Sequence, residues 1–412
     1  MKNKIKSLGA VTFIITTLYV FCACSQKQQN GDESDFRVTP AEDGKSLVIT
    51  GYTGKKQSVR IPSRIYHFPV TAVGNEAFKD SDLISVTIPD SVTTIGDMAF
   101  AGSQLINVII GRGVTTIGKG AFQKNQLTGI NIPNSVTVIG EWAFQGNQLT
   151  GVTIPNNVIT IGDGAFADNK LTGITVPNSV SSIGERAFSQ NPELTAINVS
   201  PKNQYYISVD GVLYNKDITT LNQWPMGKTG EVNIPDSVII IKSYAFSGSQ
   251  LTSVTIPDSV TVIGIGAFME SKLTSVTIGN SVFSIGDYAF QNNKIVNLSI
   301  GGGVTTIRDY AFANNQLTVV AIPDSVTSIG TGAFRENRLS GVTIGNRVTS
   351  IHNYAFANNR LTSITLGARI ELEDNWYSNA LERNFVYLYM QNGRRAGTYT
   401  RSNADSRTWT RK

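Results

Sequence analysis

One pair of residues recurs along this sequence at a fixed interval. Phe78, Phe100, Phe122, Phe144, Phe166 and Phe188 stand 22 residues apart, each preceded by Ala, and so do Phe246, Phe268, Phe290, Phe312, Phe334 and Phe356. A repeat of this length restricts the chain to a solenoid, in which each unit buries its apolar face only against its neighbours. The 412 residues therefore do not divide into the two or three globular domains expected of an aperiodic chain.

One full unit runs from Leu149 to Phe166. Leu149, Val152 and Ile154 alternate with Thr150, Gly151 and Thr153, the pattern of a half-buried strand, and Pro155 ends it because proline has no N–H to donate. A second extended stretch follows from Val158 to Ile161, then a tight turn at Gly162 that returns Phe166 to the interior. Stacking the units predicts a continuous spine of Phe rings.

Three residues after each Phe the sequence reads Ser81, Ser103, Asn125, Asn147, Asn169, Asn191, Ser249, Ser271, Asn293, Asn315, Asn337 and Asn359. An inward turn leaves backbone N–H and C=O groups buried, and a column of short polar side chains satisfies them from coil to coil. The inner strand residues, from Ile61 to Leu366, count about fourteen coils. At roughly 4.8 Å per strand these would stack to roughly 65 Å.

The array is interrupted once, between Val199 and Ile234, by a segment without the Ala-Phe pair. Asp210-Gly211 is a hairpin turn between strand-like runs from Tyr206 to Tyr214, and a projecting hairpin is expected there. The ends require caps. Residues 36–76 form the first, 77–369 the solenoid with its insertion at 200–231, and 370–412 the second. In that last segment Phe385–Tyr389, Ala396–Tyr399 and Arg407–Trp409 read as a small β meander with turns at Asn392-Gly393 and Asn403–Asp405.

Residues 1–23 read as an export signal, with Lys2, Lys4 and Lys6 before an apolar run from Leu8 to Phe21. The stretch from Val20 to Ser25 resembles a bacterial lipoprotein cleavage box with Cys24 as the residue to be acylated, although Phe21 stands where such boxes usually carry Leu. Residues 24–35 supply a flexible tether. Both cysteines, Cys22 and Cys24, lie at this end, so the body has no disulfide, no thiolate metal site and no thiol nucleophile. The net charge of +5 also comes from the ends. Removing the three leader lysines and the net +6 of residues 383–412 leaves about −4 for the body, which argues against a nucleic-acid groove along it.

Over about Ser46 to Leu366 the chain resembles BspA-type leucine-rich repeat surface proteins. The residues that carry the resemblance are Leu251 to Val260, the Ile-Gly-x-x-Ala-Phe segments and the Tyr206 to Tyr214 hairpin. Ser91, Ser135, Ser179, Ser259 and Ser325 replace the strand-end Asn of the wider leucine-rich class. The resemblance implies a right-handed leucine-rich repeat solenoid of α/β type, mainly β, with short strands and tight or 3-10 turns. It also implies an exported bacterial protein of a kind often implicated in attachment to host extracellular-matrix proteins such as fibronectin or fibrinogen, or to other cells, and with the cleavage box at Cys24 a lipid-anchored place at the outer-membrane surface is expected. The family offers no set of ligand-contacting residues to transfer.

Catalysis needs a few convergent groups that break the pattern, and none stands out, so a non-enzyme without cofactor or metal is expected. His67 and His352 lie almost the whole array apart. Gly113–Gly120 nearly matches a phosphate loop but places Gly120 where Ser or Thr must reach magnesium. The acidic residues Glu141, Asp163 and Glu185, then Asp287 and Asp309, read as solvated stacks, with shared calcium as the alternative. The outward strand positions are Thr, Ser, Gly and Asn, which predicts a flat, uncharged and unreactive face.

Variation lies two residues before each Phe, where Trp142, Arg186, Tyr244, Tyr288, Tyr310 and Tyr354 alternate with Gly. Arg338 and Arg360 follow the Phe by four. These, with Tyr206 and Tyr214 of the hairpin, are the candidate binding residues, since Tyr, Trp and Arg dominate binding hot spots. The competing reading has the rings shielding the turns. A monomeric, lipid-anchored protein-binding or adhesion module is expected, with a protein ligand, membrane contact through the anchor alone and no nucleic acid. A glycan-binding or envelope-structural role, or partnership with a surface enzyme, is the alternative.

Overall fold

Each repeat makes two short strands because its apolar residues fall at alternate positions twice per 22 residues. In Ser253–Ile256, Val254 and Ile256 are buried while Ser253 and Thr255 face out. The segment pairs in parallel with Ser275–Ile278 one coil on, Ser253 opposite Ser275. Past Pro257 a tight turn closes on Val260, and Val262–Ile263 pairs with Ser284–Ile285 on a second face. The computed structural model describes residues 32–375, 378–379, 381 and 383–412. The leader, Cys24 and most of the tether lie outside the described residues.

The chain is a mostly β solenoid of about 15 turns. Its shorter strands stack into a nine-stranded sheet in the N-terminal half and a ten-stranded sheet in the C-terminal half. Between the two faces the Phe rings stack as a spine: Phe100 and Phe122 are 5.3 Å apart and Phe290 and Phe312 are 5.1 Å apart, the rings of each pair nearly parallel. Behind the spine, Asn125 Nδ2 donates to the carbonyls of Phe100 and Phe122 at 2.8 and 3.0 Å, and its Oδ1 accepts from Leu105 N at 2.8 Å. Asn147, Asn169, Asn293, Asn315, Asn337 and Asn359 repeat this three-way bridge in their own coils.

The insertion does not project. Tyr206–Val209 and Val212–Asn215 form the expected hairpin, but Val212, Leu213 and Tyr214 are all buried. Leu213 packs into the core of the N-terminal half, while Val212 and Tyr214 pack into that of the C-terminal half. The strand is therefore a septum between two core segments, and its run of three apolar residues is explained by burial on both sides. Thr220–Gln223 then pairs antiparallel with it and parallel with Ile240–Ile241, which restarts the array. Trp224, 22 residues before Phe246, takes the spine position. Its N–H donates to Ala245 O at 2.7 Å and its ring stacks on Phe246 at 5.4 Å.

Phe36–Pro40, antiparallel to Leu47–Tyr52, caps the N-terminal end, with the rings of Phe36 and Tyr52 closing the spine on Phe78. The other cap departs from the expected meander. Arg383–Gln391 is an α-helix, here α1, although Phe385–Tyr389 reads as a strand by propensity. Helical geometry turns Phe385, Val386 and Tyr389 together onto the end of the solenoid, where all three are fully buried. Tyr389 Oη donates to Gly367 O at 2.9 Å and accepts from Ile370 N at 3.1 Å. Gly393 and Arg394, both with positive φ, end the helix. Gly397–Thr400 then pairs antiparallel with Ser363–Leu366, and Thr410–Arg411 pairs with it in turn.

Candidate functional site

The longer strands form an interrupted face. Ser58–Arg60, Ser85–Thr87 and Asn107–Ile109 make one sheet, and Gly173–Val176 with Ala196–Val199 another. On this face the two coils between them form no strand and share an isolated bridge from Asn131 to Thr153 and a bond from Thr150 N to Thr128 O at 3.4 Å. Glycine is not the cause by itself, since Gly173 and Gly341 stand at the matching position inside strands. Across this interruption runs a trough of about 1430 Å³ lined by Thr128, Gly129, Asn131, Thr150, Gly151, Thr153 and their neighbours. A second hollow of about 940 Å³ lies beside the proline turns, with Arg60, Asp90 and Arg112 at its rim. Ile109 and Asn131 line both.

This face is therefore not flat. Ile84, Ile106 and Ile109 are 39%, 51% and 50% exposed, at positions where most coils carry Thr, Ser or Asn. The substitution at Ile109 was visible in its column, but only the structure shows that it lines one trough with Ile106, whose backbone N–H donates to Ile84 O of the previous coil at 2.9 Å.

The other candidates scatter along a different edge. Trp142, Tyr244, Tyr288, Tyr310 and Tyr354 all adopt left-handed backbone, as do the glycines Gly120, Gly164, Gly266 and Gly332 of the same column. Their alternation has a packing cause. A Cβ at Gly164 would meet the Trp142 ring at 2.5 Å, and the same holds for Gly266 under Tyr244 and Gly332 under Tyr310. Each large ring leans over the next coil, which is glycine there or stacks a ring of its own, as Tyr288 does on Tyr310 at 5.4 Å. Lys119 sits 4.6 Å over Trp142, Arg186 4.6 Å over Tyr244 and Arg335 5.8 Å over Tyr354. Arg338 and Arg360 are exposed one coil apart.

The hairpin tyrosines face inward. Tyr214 is 2% exposed, so it offers no binding surface, and burial pushes its phenol up to about 12 with the Asp210 charge adding to the shift. Tyr206 Oη accepts from Ile183 N at 2.9 Å, tying the hairpin to the previous coil.

The acidic columns also do structural work. Asp163 Oδ1 accepts from Glu185 N at 2.8 Å, Asp287 Oδ1 from Asp309 N at 3.1 Å and Asp309 Oδ1 from Thr331 N at 2.7 Å, so each carboxylate caps the backbone of the following coil. Glu141 instead pairs with Lys119 at 2.8 Å, and that hydrogen bond raises the lysine pKa. Among the described residues no group of three or more His, Cys, Asp and Glu could hold a metal ion. His352 Nδ1 lies 2.8 Å from Glu373, while His67 is exposed in the N-terminal cap. In the phosphate-loop lookalike, a Cβ at Gly118 would press against the backbone of Gly96 and the side chain of Asp97, so close packing of coils explains that glycine.

The model of the family described as BspA type Leucine rich repeat region, with 6 copies, matches residues 71–195, 115–223, 226–338 and 305–386. The chain belongs to the BspA-type leucine-rich repeat family. Among solved structures, the crystal structure of the pneumococcal vaccine antigen PcpA is similar, with 26% identity, 82% of this chain and 87% of that chain covered, and a TM-score of 0.64. A leucine rich cell surface protein from Faecalibacterium prausnitzii A2-165 is 27% identical, with 82% of this chain and 95% of that chain covered, and a TM-score of 0.59. No curated protein matches the sequence.

Proposed function

We propose that this BspA-type protein is a cell-surface binding module, anchored by lipid through Cys24, that takes an extracellular protein on the long-strand face of its N-terminal half. The observation that carries this reading is the pair of exposed side chains Ile106 and Ile109, which line the trough through Asn131 and Thr153. A rigid stack holds these side chains in place before a partner arrives, which lowers the ordering cost of association. Exposed apolar side chains bordered by Thr and Asn match the composition of a protein interface, with an apolar centre and a hydrogen-bonding rim. The description of the Faecalibacterium relative as a cell surface protein supports the placement outside the cell.

Immobilised matrix and cell-surface proteins, screened by biolayer interferometry with the whole chain and its Ile109→Asp and Gly151→Arg variants, test this. Each variant is expected to weaken the bound partner by about tenfold or more, roughly 1.4 kcal/mol. Binding unchanged in both variants but lost in Tyr288→Ser would move the site to the tyrosine edge and sink the proposal. Defined oligomers in light scattering without any ligand would favour a structural role instead.

A further inference from the structure

The C-terminal cap carries a second, chemically different recess. Helix α1 presents Asn384, Tyr387 and Gln391, spaced i, i+3 and i+7, on one exposed face, with half-buried Leu388 between that face and the core. Between that face and Arg407, Thr408 and Trp409 lies a cleft of about 360 Å³. Tyr387 is 65% exposed. Trp409 is held by Phe385 edge-on at 5.4 Å and by Arg401 at 4.7 Å, yet its buried Nε1–H has no hydrogen-bond partner. The cleft therefore has an aromatic floor fixed by packing, and its polar groups come from Asn384, Gln391 and Arg407.

We propose that this cleft binds a saccharide through an acidic sugar residue, one carrying a carboxylate or sulfate. Its size suits one or two sugar rings. The two carboxamides of Asn384 and Gln391 each offer both donors and an acceptor, which complements neighbouring hydroxyls that must both give and receive hydrogen bonds. The exposed Tyr387 ring stacks on the C–H face of the sugar. Arg407 pairs with the anionic group in a forked geometry. The net +6 of residues 383–412 raises the local concentration of an anion around the site.

Isothermal titration of the whole protein with a galacturonate tetrasaccharide, a neutral galactose tetrasaccharide and a tetraglutamate peptide tests the assignment. The acidic sugar is expected to bind at least about tenfold tighter than either control. Tyr387→Ala and Arg407→Gln are each expected to weaken it by a similar factor. Ile109→Asp, on the other face, is expected to leave this affinity unchanged. Equal binding of tetraglutamate would reduce the cleft to generic charge attraction. Absence of acidic-sugar binding at millimolar concentration, or its survival in both Tyr387→Ala and Arg407→Gln, would overturn the proposal.

Discussion

Tyr310 lies across Gly332 of the following coil, so close that a Cβ on the glycine would stand 2.5 Å from Cε1 of the ring. Both residues have positive φ, near 54° for the tyrosine and 59° for the glycine. The left-handed turn is a property of the column, and the glycine is there to make room for the ring.

Gly332→Ala is accordingly expected to destabilise the protein by about 2 kcal/mol, part from the left-handed backbone and part from displacement of the ring. In a Tyr310→Ala background the same change should cost about 1 kcal/mol, because only the backbone part remains. Urea denaturation followed by circular dichroism measures both. An equal loss in the two backgrounds would show that ring and glycine are not coupled.

Asn315 donates to the carbonyls of Phe290 and Phe312 at 2.9 and 3.1 Å and accepts from Ile295 N at 3.0 Å. Asn315→Ala would strand the Ile295 N–H and leave Phe290 O and Phe312 O with only the neighbouring carboxamides of Asn293 and Asn337, an expected loss of about 2 kcal/mol. Asn315→Ser should cost roughly half as much. The natural precedent is Ser271, whose hydroxyl reaches Phe246 O at 2.6 Å but leaves the remaining groups to neighbouring coils. Thermal melts of the two variants, ranked against each other, check the ladder.

Tyr214 links stability to pH. Its folded pKa is raised to about 12 from an ordinary value of 10.0, so the native state holds the proton more tightly than the unfolded state. The contribution is complete below pH 10 and is lost as pH rises toward about 12. Tyr214→Phe removes this term, and the stability of the variant is expected to fall less steeply over that interval. Chemical denaturation at a series of alkaline pH values measures the slope, and identical slopes would remove Tyr214 from the account.

Acylation at Cys24 predicts that the protein partitions into a detergent phase and incorporates labelled palmitate, and that Cys24→Ala does neither. Recovery of the unmodified variant in the aqueous phase with its fold intact would fit. Incorporation of label by Cys24→Ala would rule out this attachment point.

The spine and the Asn ladder were legible in the sequence because, in a stack, residues 22 apart become neighbours, so a column in the alignment is a column in space. The tyrosine and glycine column was legible as a pattern but not as a cause. Its alternation resembles a hot spot until the ring of one coil is seen over the backbone of the next. Trp224 was hidden because it is not a Phe, although its distance from Phe246 is one repeat.

What the sequence determined by itself was the repeating unit: its period, its inward residues and the polar column, each fixed by local alternation and by contacts between neighbours. Only the tertiary structure decided where the pattern stops. The Val212–Asn215 strand became a septum because both of its faces meet apolar coils, and Phe385–Tyr389 became helix because the open end of the core needed one apolar face covered. Those choices depend on the surface left exposed by all the preceding coils, which no short stretch of chain encodes.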